Sequence, residues 1–299
     1  MGESNEHEFG RDPVNPALPA PDPTDELHPL PPHLPTSPTS PSPTWLALTI
    51  GNSRLHWAWF EGEDLRQSWD EPHLEAEPGM HLLQSLEQGH FNPPGLSGCS
   101  RVPSDCPLWL ASVVPRQALL WQSYRAAHTI SLADMPLTGL YPTLGLDRAL
   151  AVVGAAAVYG LPSLVIDTGT ALTFTGADAT GHLVGGAILP GLRLQLRSLS
   201  ETALLPNLAD SPPVLPRRWS GDTPGAIWSG VLYTLLAGLI DFVTNWQQAF
   251  PTSSILLTGG DAVLLKELLA QRLPDVAAQI AVDTRLIFWG MRQVRSQLI

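Results

Sequence analysis

The chain has 299 residues, 44% apolar and 15% charged, with a formal net charge of −12. That length supports one large or two small domains, and the acidic balance is a poor match to a nucleic-acid backbone. Lys266 is its only lysine and lies in no Gly-x-x-x-x-Gly-Lys-Ser/Thr run, so a P-loop is excluded.

Residues 1–44 hold 12 of the 30 prolines, seven acidic residues and one base, Arg11. Proline denies this segment a hydrogen-bonded ladder, and it has little apolar surface to bury, so it reads as a disordered extension. It contains no apolar stretch of signal-peptide type. The body from residue 45 onward begins with an apolar strand, 45–50, a turn Gly51-Asn52-Ser53-Arg54 and a second strand, 55–60, which is a hairpin pattern. Residues 61–77, with seven acids and one base, read as a solvated surface stretch. A helix is predicted over 81–88 and a strand over 108–114. Cys99 and Cys106 lie between these two elements. Their spacing fits neither a common zinc pattern nor a disulfide framework, and they read as reduced thiols of a cytoplasmic protein.

An alanine-rich helix, 148–159, is predicted to stop at Gly160, followed by a buried strand, 163–166. The turn Asp167-Thr168-Gly169-Thr170 leads into another strand, 171–174. Gly185-Gly186 reads as a further turn. A long apolar helix, 225–248, a strand, 254–257, the turn Thr258-Gly259-Gly260-Asp261 and a helix, 262–272, complete the pattern. Two uncharged stretches, 149–166 and 224–240, are too interrupted or too short for membrane spans and read as buried helices. The nine histidines show no paired metal spacing.

Two of these turns share a layout of apolar strand, x-x-Gly-polar-small turn and apolar strand: Thr49-Ile50-Gly51-Asn52-Ser53 and Asp167-Thr168-Gly169-Thr170-Ala171. With helices between strands, this points to an α/β architecture of two similar half-domains. Glycine turns let backbone N–H groups approach an anion, so together they can cradle a polyphosphate without lysine. Asp167 ends a buried strand, where a carboxylate needs a partner: a cation, or nearby backbone N–H groups if it only caps the turn. Asp147, in Gly145-Leu146-Asp147-Arg148, is either the helix N-cap or a general base toward a hydroxyl. Arg148 is either an anion-holding fork or half of a surface ion pair. Thr223, in the turn before the long helix, either caps it or bonds a polar substrate.

Taken together, five segments in this order resemble the type III pantothenate kinases from about Trp45 to the C-terminal region. They are Thr49-Ile50-Gly51-Asn52-Ser53-Arg54, Gly145-Leu146-Asp147-Arg148, Asp167-Thr168-Gly169-Thr170-Ala171-Leu172-Thr173, Gly185 to Gly191 with Ile188, and Thr258-Gly259-Gly260. The resemblance implies an actin-like (ribonuclease H-like) α/β fold of duplicated domains, with mixed sheets flanked by helices around a central cleft. The halves would be 45–145 and 146–299. It implies ATP-dependent phosphorylation of pantothenate to 4′-phosphopantothenate, with Asp147 as the base. Tyr141, Gly145, Leu146, Asp147, Arg148 and Thr223 would contact pantothenate, although the family's tyrosine usually lies a little upstream of Tyr141. Thr49, Ile50, Gly51, Asn52, Ser53, Arg54, Leu55, His56 and Thr170 would meet ATP, Asp167 would hold K⁺ or NH₄⁺, and Mg²⁺ would arrive with ATP. A homodimer is implied, with neither nucleic acid nor membrane as partner.

Two positions depart from the family pattern. Thr49 stands where an Asp is usual, and Thr175 where many members have another. A hydroxyl carries no charge, so Mg²⁺ would be held mainly by ATP oxygens. The same departures admit a non-catalytic nucleotide- or pantothenate-binding regulator, and the fold admits another small-molecule kinase of the superfamily.

Overall fold

The computed structural model describes residues 43–93, 95–96, 102–203 and 214–299. The predicted extension therefore lies outside the described residues except at Pro43 and Thr44, and Cys99 lies outside them too. The first hairpin joins β1 (Thr44–Ile50) to β2 (Arg54–Glu61), and β3 (Asp64–Pro72) continues the meander. After α1 (Ala76–Glu87) come β4 (Leu108–Ser112), α2 (Pro115–Gln122) and β5 (Ala127–Thr129). These strands make one sheet in the order β3-β2-β1-β4-β5, with β4 parallel to β1.

The crossover helix α3 (Leu146–Tyr159) then leads to a second meander, β6 (Ser163–Thr168), β7 (Ala171–Ala177) and β8 (Leu183–Pro190). The chain continues through α4 (Leu192–Ala203), α5 (Thr223–Ala249), β9 (Ser254–Thr258), α6 (Ala262–Arg272), α7 (Pro274–Ala278), β10 (Ile280–Val282) and α8 (Leu286–Leu298). The second sheet runs β8-β7-β6-β9-β10 and repeats the first strand for strand, as the echoed turns predicted.

Alternation along the strands builds the layers. Leu46, Leu48 and Leu55 face α1 and α2, whereas Trp45, Ala47 and Phe60 face α3 and α8. Trp45 and Phe60 are cross-strand partners whose rings stack at 4.0 Å, a contact worth about 1 kcal/mol beyond burial. Val165 and Leu256 of the second sheet meet the other side of α3, and α5 and α6 cover that sheet's outer face. The described residues from Pro43 onward form one compact unit of alternating helix and sheet layers. α3 and α8 approach closely because each presents a glycine: a Cβ on Gly154 would run into the Leu286 carbonyl, and one on Gly290 into that of Leu150.

Two sequence expectations change. Residues 61–77 are not simply a solvated stretch, because β3 occupies 64–72. An outer strand is kept polar on its exposed positions, which hides the alternation that buries Trp69 and Glu71. Gly185-Gly186 is not a turn but lies inside β8 opposite Gly176 and Thr175, and the lack of a side chain on Gly186 leaves room for the Arg148 guanidinium. Among the described residues α5 alone is long and apolar enough to cross a membrane; here its buried face, including Leu232, Leu236 and Leu239, covers the second sheet.

Candidate active site

Both glycine hairpins open into one cleft of about 1010 Å³, lined also by the start of α3, the Thr258–Asp261 turn and the first turns of α4. The equivalent β1 and β6 bring equivalent positions to it: Thr49 and Asp167 each stand two residues before the hairpin glycine, and both line the cleft. The hairpins touch directly, with Ser53 Oγ and Thr170 Oγ1 sharing a hydrogen bond of 2.8 Å. The first turn is closed by Gly51 N–H donating to the Arg54 carbonyl (3.0 Å), and His73 Nε2 donates to the Gly51 carbonyl (2.8 Å).

α3 starts at the cleft. Its N-cap is Gly145, so Asp147 is not the cap; it sits in the first turn, where a carboxylate is favoured by the helix dipole. Asp147 Oδ1 accepts the Arg148 N–H at 2.8 Å, and among the described residues Oδ2 has no hydrogen-bond partner. Arg148 is buried and, among the described residues, makes no ion pair. Its Nε donates to Thr175 Oγ1 (2.9 Å), one terminal nitrogen to Tyr141 Oη (3.0 Å) and the other to the Phe174 carbonyl (3.2 Å). All three acceptors are neutral, so a buried cation keeps its charge and two of its five N–H donors for another anion.

Asp167 lies at the floor of the cleft, partly open to it. Burial first, and then the charge of Asp147, push its carboxyl from 3.8 up to about 6, against the opposing pull of His56 and the Gly169 N–H. Gly259 adopts φ +87°, and a Cβ there would run into the Asp167 carboxylate. The acid is thus framed closely by the backbone of the Gly259 turn. Among the described residues no group of three or more His, Cys, Asp or Glu is placed to hold a metal ion.

The cleft brings together Thr49, Ile50, Gly51, Asn52, Ser53, Arg54, His56, Asp147, Arg148, Asp167 and Thr170. Leu55 does not join them, because strand alternation turns it into the core. Tyr141, Gly145 and Leu146 do not line the cleft; Tyr141 is tied to it by the hydrogen bond it accepts from Arg148. Thr223 does not line the cleft. It is the first residue of α5, capped by Asp222 Oδ1 accepting Gly225 N–H (2.7 Å), and it borders a separate shallow depression with Ser220 and Gly221. Sequence reasoning missed Asp70, Arg193, Arg197 and, as a cleft side chain, Asp261. Buried Asp261 accepts a hydrogen bond from exposed Arg193 at 3.1 Å. Its place beside Gly259-Gly260 was a usable signal; the α4 arginines follow no motif.

A family profile described as type III pantothenate kinase matches residues 45–245. A curated type III pantothenate kinase of Nostoc sp. is 46% identical over 262 residues, covering 84% of this chain and 94% of the relative. One of Synechocystis sp. is 43% identical over 252 residues, covering 84% and 90%. A crystal structure of a protein from Campylobacter jejuni, described as a Baf family transcriptional activator, shares the fold. Its TM-score is 0.54 at 20% identity, over 85% of this chain and 98% of that one.

Proposed function

The chain belongs to the type III pantothenate kinases and phosphorylates pantothenate with ATP in coenzyme A synthesis, and from that premise we propose that Asp147 is the general base and Arg148 the holder of the substrate carboxylate. The observation that carries the assignment is a buried guanidinium with only neutral hydrogen-bond partners next to a carboxylate with one free oxygen. Pantothenate offers a carboxylate and a primary hydroxyl, which match that pair. A neutral sugar would leave Arg148 without an anion.

In the reaction the hydroxyl oxygen forms a bond to the γ-phosphorus, the bond from that phosphorus to the β–γ bridging oxygen breaks, and ADP leaves. The hydroxyl proton passes to Asp147 Oδ2. Such a transfer needs mainly positioning and neutralisation of charge. The amides of the Gly51 and Gly169 turns, with Asn52, Ser53 and Thr170, would grip the phosphates. Asp167 would hold K⁺ or NH₄⁺, which supplies positive charge on the phosphate side. Mg²⁺ is needed with ATP and would be held largely by its oxygens.

We read 45–145 and 146–299 as the halves around the cleft, with α8 returning to the first. If Thr223 contacts pantothenate, its position outside the cleft points to a second copy of the chain supplying it, which favours a homodimer. The test is a coupled assay with ATP, pantothenate and KCl. Formation of 4′-phosphopantothenate, lost in Asp147→Asn, is expected; full turnover in that variant removes Asp147 from the mechanism.

A further inference from the structure

In the second sheet, Val165 on β6, Thr175 on β7 and Gly186 on β8 stand directly opposite one another. Sharing a row, these positions face the same side of the sheet. Val165 shows which side, because it packs with Ala151, Val152 and Ala155 of α3. An apolar residue would suit position 175 in such a layer, yet a hydroxyl is buried there, with Thr175 only 2% exposed. Its oxygen accepts Arg148 Nε–H at 2.9 Å. One step along the row, a Cβ on Gly186 would lie 2.5 Å from the second terminal nitrogen of Arg148. The hydroxyl and the gap beside it therefore make a slot that one guanidinium fills. With Tyr141 Oη and the Phe174 carbonyl each accepting from a terminal nitrogen, one N–H is left on each of those nitrogens, a pair that a carboxylate can accept. Thr175 itself does not line the cleft, whereas Arg148 does, so Thr175 bears on a ligand only through Arg148.

We propose that Thr175 is a positioning residue that sets the preference for an acid over a neutral acceptor: its hydroxyl anchors Arg148 by Nε and, being uncharged, leaves the guanidinium's charge for the substrate carboxylate. The chemistry at this one position decides what Arg148 can do. A valine would leave Nε–H buried without an acceptor, and the guanidinium would be held at two points instead of three. An aspartate would hold it as firmly but would form a buried ion pair, cancelling the charge before any substrate arrives. Threonine alone among these three both holds the group and leaves its charge unspent. The inference rests on the reading of Arg148 as the holder of the pantothenate carboxylate, and it assigns the selectivity of that contact to a side chain that never meets the substrate.

The test is a binding titration of the full chain with pantothenate and with its neutral alcohol analogue, beside steady-state kinetics with ATP, Mg²⁺ and KCl. Thr175→Asp and Thr175→Asn are matched in size and differ in charge. The aspartate variant should bind pantothenate roughly 10- to 100-fold more weakly, the scale of a charge-assisted hydrogen bond. The asparagine variant should bind it like the wild type, and neither should change the affinity for the alcohol. Thr175→Val should weaken pantothenate roughly 3- to 10-fold, the scale of one neutral hydrogen bond, and Thr175→Ser should restore it. In each case the loss should appear in KM and leave kcat unchanged, because Asp147 keeps its place. The proposal is overturned if the aspartate and asparagine variants lose pantothenate alike, or if the alcohol is lost in parallel with the acid. Should Thr175→Asp not unfold cooperatively, Thr175→Val decides, and wild-type affinity for pantothenate in that variant overturns the proposal. Failure of the functional reading looks different: the wild type would form no 4′-phosphopantothenate, or Arg148→Lys would bind acid and alcohol like the wild type.

Discussion

Replacing Asp167 with asparagine should make the ligand-free protein more stable at neutral pH while disabling it. The folded state binds the Asp167 proton more tightly than the unfolded chain does, because burial and the nearby Asp147 raise its carboxyl from 3.8 to about 6. The cost of ionising it in the fold is absent below about pH 4, grows between about pH 4 and 6, and is complete above that. A rise of about two pH units corresponds to roughly 3 kcal/mol. The side chain is partly open to the cleft, so 2–3 kcal/mol is the expected scale, or roughly 5–10 °C in Tm for a domain of this size. The assay is thermal unfolding of both proteins without nucleotide, at steps from about pH 4 to 8, in a buffer whose cations are too large for the site. The two Tm values should coincide near pH 4 and separate in favour of Asp167→Asn by about pH 7. Adding K⁺ should raise the wild-type Tm and leave the variant where it was. An equal gap at every pH, or a less stable variant at neutral pH, would refute the picture of a strained, cation-seeking carboxylate.

Asp147→Asn keeps an oxygen to accept the Arg148 N–H, so the protein should still fold cooperatively while kcat falls roughly 10²- to 10⁴-fold in the coupled assay. Arg148→Lys cannot keep the three-way attachment to Thr175, Tyr141 and Phe174. Its KM for pantothenate should rise roughly 10-fold or more, while the neutral alcohol analogue of pantothenate binds as it does to the wild type. Equal losses for both ligands in a binding titration would rule out a carboxylate contact. Gly290→Ala places a Cβ against the Leu150 backbone and should cost about 1–3 kcal/mol in urea unfolding. An unchanged midpoint would show that the α3–α8 contact has slack.

Much of the scaffold is readable from the chain because its turns are punctuated by glycine between apolar runs, as at Gly51 and Gly169. The duplication shows in those turns for the same reason. β3 is hidden because an outer strand wears its charges, and α8 because Arg292 and Arg295 interrupt its apolar stripe while laying their guanidinium groups over the Trp289 and Trp45 rings. Asp147 and Asp167 announce themselves by motif, but their meeting depends on α3 crossing between two sheets, which is a tertiary fact. Asp70 becomes legible only once β3 is seen to pair with β2, because the register alone puts it opposite His56. Thr223 shows the reverse: a sound local signal for a helix start, at a position that the fold carries away from the cleft.

The return of α8 to the first sheet has a temporal side. Met291 and Val294 help cover the face formed by Trp45, Ala47 and Phe60, yet the ribosome makes them some 230 residues later. Throughout that interval the growing polypeptide carries an apolar surface still missing its last cover, open to sticking or to chaperone capture. Losing the final dozen residues, for instance through a late stop codon, should therefore harm the beginning of the protein more than its end.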